Sequence, residues 1–284
     1  MAFTMVSDIQ SPTDYIQKVY EDALFVARDQ NLMASLVTSY SGQGIAPRVS
    51  SEWSATNIVS LNDDDDLTSQ AFTPTVLSTL TPSEVGAQYL ITDQRLESDP
   101  FGVQQSAAVE LGSAIATKIE SDLVGDFTNF TGGTVGVAGS AMTWGRFFAA
   151  AAQLRAQKAP GPVYAVLHPY HWHDLASEAA VNGANMNAPQ FGDDVMRNRF
   201  VGMAAGVMIF ESANIPVDGN DDAVSGLFVS QALALDVRRA PRIERERDAS
   251  RRADELNLST VYAHGVWRPK FGVKILADAT VPTA

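Results

Sequence analysis

The residues best suited to metal chemistry are three of the chain's four histidines and a neighbouring aspartate: His168, His171, His173 and Asp174. Imidazole and carboxylate groups are common ligands of zinc and iron. On a helix beginning at Pro169, however, positions 171 and 173 point about 200° apart. His264 is the one distant histidine that could complete a site. We therefore interpret the three as strand-end and helix-surface residues, with a metal-dependent α/β enzyme as the alternative from another functional class.

Other catalytic motifs are missing from the sequence. It contains no GxSxG, no P-loop and no GxGxxG that opens a helix after a strand. It also contains no cysteine, which removes thiolate zinc sites and cysteine nucleophiles together. We predict a protein that is not an enzyme and that needs no cofactor.

Four consecutive aspartates, Asp63 to Asp66, form a second cluster that could in principle bind Ca²⁺. Consecutive side chains in an extended segment diverge, and the spacing of an EF-hand loop is absent. The run falls where the tip of a β-hairpin is expected. We interpret it as a solvated tip or as a patch that meets a basic neighbour.

The strongest local departure in charge is a run rich in arginine that ends at residue 252. In an extended strand, Ile243, Arg245 and Arg247 face one way, whereas Arg242 and the acidic residues 244, 246 and 248 face the other. Arginine suits bidentate pairing with carboxylates, and the interleaved acids disfavour contact with DNA phosphates. We predict intersubunit ion pairs, against the alternatives of a solvated charged strand or direct DNA contact. The arginines are Arg238, Arg239, Arg242, Arg245, Arg247, Arg251 and Arg252.

The whole chain has the opposite charge. Its 284 residues carry a formal net charge of -13, which disfavours a protein that coats nucleic acid or anionic membrane over its whole surface. Residues 238–252 carry seven arginines and three acids, a net of +4, so the remainder carries -17. The N-terminus lacks the pattern of a signal peptide, and no stretch approaches the ~20 apolar residues of a transmembrane helix. We expect a non-secreted protein with no membrane partner.

The elements that position these residues change character along the chain. Residues 11–27 predict an amphipathic helix, and residues 45–98 predict strands and long loops. Asp99 and Pro100 are typical of the start of a helix, which the apolar stripe extends to about Val124. A compact α/β unit follows from Met142, with Thr143 as a cap, a buried strand at 163–167 and a helix from Pro169.

The segment from residue 45 to residue 98 has few apolar anchors for its length. Ordering more than 50 residues of strand and loop costs conformational entropy that burial must offset. We therefore expect a partner surface to cover this segment.

This order of elements resembles the major capsid proteins of tailed bacteriophages, which have the Hong Kong 97-type fold. The stretch from Leu80 to Ser98 is similar to the family's second E-loop strand and its entry into the spine helix. Tyr164 to Leu175 is similar to a strand and helix of its axial (A) domain, and Tyr262 to Ile275 to the closing strand of its peripheral (P) domain. The resemblance spans nearly the whole chain.

The resemblance implies an α+β fold and an architecture of arm, loop, spine helix and two domains. It also implies that a loop at Met186–Arg199 lines the fivefold and sixfold axes of a shell. The implied divisions are an N-terminal arm (1–44), an E-loop hairpin (45–98), the P-domain spine helix with its connection (99–141), the A-domain (142–235), and P-domain strands with the C-terminus (236–284).

By the same resemblance, the chain assembles with itself, as hexamers and pentamers, into the icosahedral shell of a virion around double-stranded DNA, without sequence-specific binding. Expected partners are a separate scaffolding protein, a portal and a decoration protein, with assembly in the host cytoplasm. Relatives that crosslink use an E-loop lysine, and residues 45–98 contain none, so we predict a non-covalent shell. An encapsulin-like compartment is the alternative that shares the fold.

Overall fold

The structure is a computed structural model that describes residues 32–98, 102–181 and 200–282. The predicted N-terminal amphipathic helix, the Asp99–Pro100 helix start and the 186–199 loop lie outside these residues. The described helices are α1 (Met33–Leu36), α2 (Asp93–Ser98), α3 (Gly102–Gly125), α4 (Trp144–Ala156) and α5 (Pro169–Val181).

Twelve strands lie within the described residues, in three sheets. A four-stranded sheet has the order β1-β10-β11-β4, a six-stranded sheet has the order β5-β12-β9-β6-β8-β7, and β2 pairs with β3 alone. The strands are β1 (Thr38–Ser41), β2 (Arg48–Trp53), β3 (Pro74–Leu80), β4 (Ser83–Thr92), β5 (Thr134–Gly136), β6 (Val163–Leu167), β7 (Phe200–Ala204), β8 (Val207–Glu211), β9 (Asp222–Val229), β10 (Leu233–Asp248), β11 (Ala253–Val266) and β12 (Gly272–Asp278).

The long helix α3 covers one face of the four-stranded sheet. Its 24 residues span about 36 Å. Leu111 and Ile115 belong to one core cluster with Ile243, Leu256 and Leu258 of the sheet. The apolar stripe thus predicted both the helix and its buried face, although Ala114, which has the same helical spacing, is exposed.

The six-stranded sheet and the helices α4 and α5 form the α/β unit that the sequence predicted. The Thr143 hydroxyl accepts a hydrogen bond from the backbone N–H of Arg146 at 3.3 Å and caps α4 as expected. Phe147 and Leu154 of α4 and Leu175 of α5 share a buried cluster with this sheet.

The structure corrects our placement of residues 83–92, which we expected as the second strand of the E-loop. They form β4, which pairs with β11 in the four-stranded sheet, whereas β2 pairs with β3. Ile91 of β4 is 7% exposed and packs with Leu256 and Leu111. Burial of this side chain against α3 favours pairing of β4 with β11 rather than with the β2–β3 hairpin.

A second correction concerns the C-terminal strand, which we expected among the P-domain strands. Residues 272–278 form β12, which lies between β5 and β9 in the six-stranded sheet. Val273, Ile275 and Ala277 are each 0% exposed and belong to the core of the α/β unit. Alternating burial therefore ties this strand to the larger sheet.

Aromatic rings fill the other large core. Phe127 lies with its ring centroid 5.6 Å from those of both Phe130 and Phe228. A Cβ atom added at Gly226 would lie 2.7 Å from the ring of Phe127. The absence of a side chain at Gly226 is therefore what allows the ring to lie over β9.

We predict that Gly226→Ala lowers the free energy of unfolding by about 1–3 kcal/mol, because it overpacks this core. Urea denaturation followed by circular dichroism measures the change. Gly219→Ala is the matched control, since an added Cβ there meets no atom within 4 Å. Equal losses in the two variants would contradict the packing explanation.

Candidate assembly surface

The arginine-rich part of β10 has the two faces that the sequence predicted. Ile243 lies opposite Leu258, Arg245 opposite Leu256 and Arg247 opposite Asp254. Residues opposite each other in an antiparallel pair point to the same side, so Arg245 and Arg247 continue the face that α3 covers.

Four of these arginines pair with carboxylates of the same chain that lie outside residues 238–252. Arg247 makes a bidentate contact with Asp93, with both N···O distances at 2.6 Å, and this hydrogen bonding lowers the pKa of Asp93. Arg245 contacts Asp254 at 2.5 Å. Arg238 contacts Asp236 at 2.8 Å, and Arg239 contacts Glu84.

The remaining three arginines are exposed. Arg242 and Arg251 each lie near an acid of the same hairpin, at 3.3 Å from Glu244 and 3.5 Å from Asp248. Within the residues that the structure describes, Arg252 has no ion-pair partner at 4 Å or less. The predicted intersubunit role therefore fits these three better than the four arginines bound to acids outside the run.

The acidic run lies where a tip was expected. Asp63 to Asp66 are exposed in the connection between β2 and β3, residues 54–73, which we call the tip segment. The Asp65 carboxylate accepts a hydrogen bond from the backbone N–H of Asn62 at 2.8 Å, which closes a local turn. Four carboxylates thus stand in water at the far end of the β2–β3 hairpin.

Apolar side chains are also exposed along this hairpin. Of 17 exposed large hydrophobic residues in the described part of the chain, nine lie between residues 45 and 76. Trp53 and Phe72 stack at a centroid distance of 4.5 Å, yet they are 52% and 66% exposed. An isolated two-stranded hairpin is at best marginally stable in water. The nine residues are Ile45, Val49, Trp53, Ile58, Val59, Leu61, Leu67, Phe72 and Val76.

A buried ion cluster holds the base of the hairpin. The Asp236 carboxylate, which is fully buried, accepts hydrogen bonds from Arg48 at 2.7 Å and from Arg238 at 3.0 Å. Arg238 also donates to the backbone carbonyls of Gln43 and Ala46. We call Arg48, Asp236 and Arg238 the base clamp. It fixes both the entry of the hairpin and the start of the charged part of β10.

Sequence reasoning missed the two acids that are fully buried in the described residues, Asp236 and Glu120. Asp236 was not singled out, although its position beside two arginines was a signal. Glu120 lies on α3 beside the apolar stripe and is also fully buried. Its carboxylate accepts hydrogen bonds from Ser212 at 2.6 Å and from the backbone N–H of Leu32 at 3.0 Å. Glu120 thereby joins the beginning of the described chain to the end of β8.

His171, which we expected at the helix surface, is instead fully buried, and hydrogen bonds satisfy both of its ring nitrogens. Nε2 of His171 donates to the carbonyl of Ala277 at 3.1 Å, and Nδ1 accepts from the Ser225 hydroxyl at 2.8 Å. Burial lowers the pKa of both His168 and His171. His173 is exposed. In the described residues, no group of three or more His, Asp or Glu side chains is arranged to hold a metal ion.

His264 lies in a different cluster, at the contact of α3 with β11. Its Nδ1 is 2.8 Å from Asp126, and its Nε2 is 3.8 Å from Asp122. Asp122 also accepts hydrogen bonds from Tyr262 at 2.7 Å and from Lys118 at 2.6 Å. Hydrogen bonding to Asp126 raises the pKa of His264 despite its partial burial.

Because the folded chain raises this pKa, the stabilisation from His264 is complete below the unfolded value of about 6.5 and is lost as pH rises through the folded pKa. We predict that His264→Gln costs about 1 kcal/mol more at pH 5.5 than at pH 8.5. Urea unfolding of the variant and the unmodified chain at each pH measures the difference. Burial of His168 and His171 has the opposite pH dependence, but it cancels because both chains contain these residues. A difference that does not change with pH would refute the ion-pair role of His264.

A model of the family described as "Phage capsid protein" matches residues 76–275. The chain belongs to this family. The match covers the four-stranded sheet from β4 onward, helix α3, and the α/β unit through most of β12. It confirms the sequence-based prediction of a phage major capsid protein.

Solved structures of phage capsids share the fold. A chain from Mycobacterium phage Che8 is 19% identical, with a TM-score of 0.70 over 86% of this chain and 90% of that chain. The protein of the bacteriophage PhiM1 mature capsid is 15% identical, with a TM-score of 0.63 over 89% and 88%. These likenesses confirm the α+β, Hong Kong 97-type fold that the order of elements predicted.

An encapsulin of Synechococcus elongatus also shares the fold. It is 12% identical, with a TM-score of 0.64 over 89% of each chain. Fold alone therefore does not separate the two kinds of shell, whereas the matching family is that of phages. No curated protein matches the chain. In its described part, no helix is long and apolar enough to cross a membrane.

Proposed function

We propose that this capsid protein self-assembles, as hexamers and pentamers, into the icosahedral head shell that encloses the double-stranded DNA of a tailed bacteriophage. The observation that carries the proposal is the β2–β3 hairpin, which the base clamp and an exposed Glu52–Lys270 contact hold. With Ile45 just before it, the hairpin exposes nine large apolar side chains. Exposed apolar surface of this extent typically marks an interface between proteins. A neighbouring subunit is the partner that a shell supplies.

The structural divisions suggest roles in the shell. The β2–β3 hairpin, the part of the proposed E-loop (45–98) that precedes β4, would lie over a neighbouring subunit. Helix α3 and the four-stranded sheet would form the P-domain, and the six-stranded sheet with α4 and α5 the A-domain. Residues 1–44 would form the N-terminal arm. Arg242, Arg251, Arg252 and Asp63 to Asp66 are the charged residues we assign to intersubunit contacts.

The proposed partners beyond the chain itself are a separate scaffolding protein, a portal and a decoration protein, with assembly in the host cytoplasm. The net charge of -13 suits a container that holds DNA without adhering to it. Residues 45–98 contain no lysine, so we propose a shell without covalent crosslinks.

Negative-stain microscopy of the expressed protein, alone and with its scaffolding protein, tests the proposal. We expect closed shells that dissociate into single-chain bands when they are boiled in SDS. Crosslinked ladders would contradict the non-covalent shell, and protein that never assembles would contradict the function. For the encapsulin alternative, the neighbouring genes decide: portal and terminase genes support a phage, and a cargo enzyme supports a compartment.

A further inference from the structure

The two outer edges of the four-stranded sheet differ in how well they are protected. Beyond its short pairing with β1, β10 has Pro241 and two irregularities of register between Val237 and Arg242. Charged side chains follow along the same strand. Proline, bulges and charges are the features that keep a strand edge from pairing with another chain.

The opposite edge, formed by β4, has one charged residue and neither a proline nor an irregularity of register. Its ten residues pair with β11 without interruption from Ser83 to Thr92, and Glu84 is the one charged residue among them. Within the described residues, β4 pairs with no other strand. It therefore offers an open edge about 33 Å long.

A groove runs beside this edge, on the side of the sheet that α3 covers. Its volume is about 520 Å³, and Tyr89 and Ile91 of β4 face Ala107 and Glu110 of α3 across it. Tyr89 and Leu90 are 37% and 44% exposed. The edge thus combines free backbone groups with an apolar channel, which are the two elements that an added strand requires.

The tip segment makes few backbone hydrogen bonds within its own chain. In residues 54–73, which the structure describes throughout, two bonds join backbone to backbone, Ser54 to Thr73 and Asp65 to Asn62, and side chains bond the backbone of Asn57, Asn62, Ala71 and Thr73. The two halves of the segment, 54–62 and 65–73, have nine residues each and would extend about 30 Å. Their length matches the β4 edge, and their exposed Ile58, Leu61 and Leu67 match an apolar groove.

We propose that one half of the tip segment of a second copy adds as a fifth strand along the outer edge of β4. Its apolar side chains then enter the groove beside α3. The inference rests on the proposed function, because shell assembly is what brings the second copy to this edge. This one contact would pair the open backbone edge of β4 and bury the exposed apolar side chains of the tip segment.

Cysteine pairs test the contact directly, since the natural chain contains no cysteine. Ala87→Cys lies at the middle of β4, and Ser60→Cys and Ser69→Cys lie in the two halves of the tip segment. We expect oxidised particles carrying Ala87→Cys with one of the two tip substitutions to give covalent oligomers on non-reducing SDS gels. Thr117→Cys, on an exposed position of α3, replaces Ala87→Cys in the control and should give none.

Hydrogen exchange of the unmodified chain gives a second readout. Assembly should slow exchange of those amides in residues 83–92 that point away from β11 at least about tenfold. Particles that form without slowed exchange at 83–92, or that crosslink through Thr117→Cys instead of Ala87→Cys, would overturn the docking and leave the shell function intact. Unmodified protein that forms no particles would contradict both.

Discussion

Replacing Asp236 with alanine should lower the free energy of unfolding by about 3–5 kcal/mol, the cost of breaking a buried ion pair from one side. The reason is that the Arg238 side chain, 9% exposed, would remain buried without its carboxylate, and Arg48 would lose its contact at 2.7 Å. Urea denaturation of the unassembled chain, followed by circular dichroism, measures the loss.

Glu244→Ala is the matched control for Asp236→Ala. It removes a carboxylate from the same strand, but Glu244 and its partner Arg242 are 59% and 51% exposed, so the change should stay within about 0.5 kcal/mol. If the two variants were equally destabilised, burial of the clamp would not be the source of its effect.

Replacing residues 55–72 with Asn-Gly should abolish particle formation while leaving the body of the chain folded. Ser54 and Thr73 already pair through a hydrogen bond at 3.1 Å, so a two-residue turn can close the shortened hairpin. The replacement removes Ile58, Val59, Leu61, Leu67 and Phe72, which are exposed and support no core cluster in the described residues. Sedimentation velocity measures assembly, and thermal unfolding checks the fold.

A second variant separates charge from apolar contact in the same segment. Changing Asp63, Asp64, Asp65 and Asp66 to asparagine keeps the length and apolar side chains of the tip. Assembly that survives this change would assign the contact to apolar burial and strand pairing, whereas assembly that fails would assign it to the predicted ion pairs. Full-sized shells from the shortened hairpin would show that the tip is dispensable.

Helices and strands with strong local patterns could be predicted from the sequence. The apolar stripe of α3, the Thr143 cap and the buried run at Val163–Leu167 are each signals within a few neighbouring residues. The alternation of charge in β10 predicted its two faces for the same reason.

Strand pairs and ion pairs between residues that are distant in the sequence could not be predicted in this way. Strand β4 has the same period whether it joins β2 or β11, and burial of Ile91 against Leu256 decides between them. The arginine partners are equally remote, since Arg247 pairs with Asp93, 154 positions away. Local charge suggested a neighbouring subunit because the acids of the same chain were distant in sequence.

The paired acids also change how the excess charge of the arginine strand is understood. Residues 238–252 carry a net of +4, and they contact four carboxylates from outside that range: Glu84, Asp93, Asp236 and Asp254. The excess is thus balanced within one chain. Substituting Arg245 or Arg247 by glutamate would therefore disturb this sheet before it reports on an interface.

The long separation between Arg48 and Asp236 also has a consequence for synthesis on the ribosome. The hairpin is translated 188 residues before the carboxylate that anchors it. Strand β5 likewise cannot pair until β12 has been translated, near the end of synthesis. Pairings this distant form late and slowly. The hairpin of the nascent chain therefore lacks its buried anchor until synthesis is almost complete.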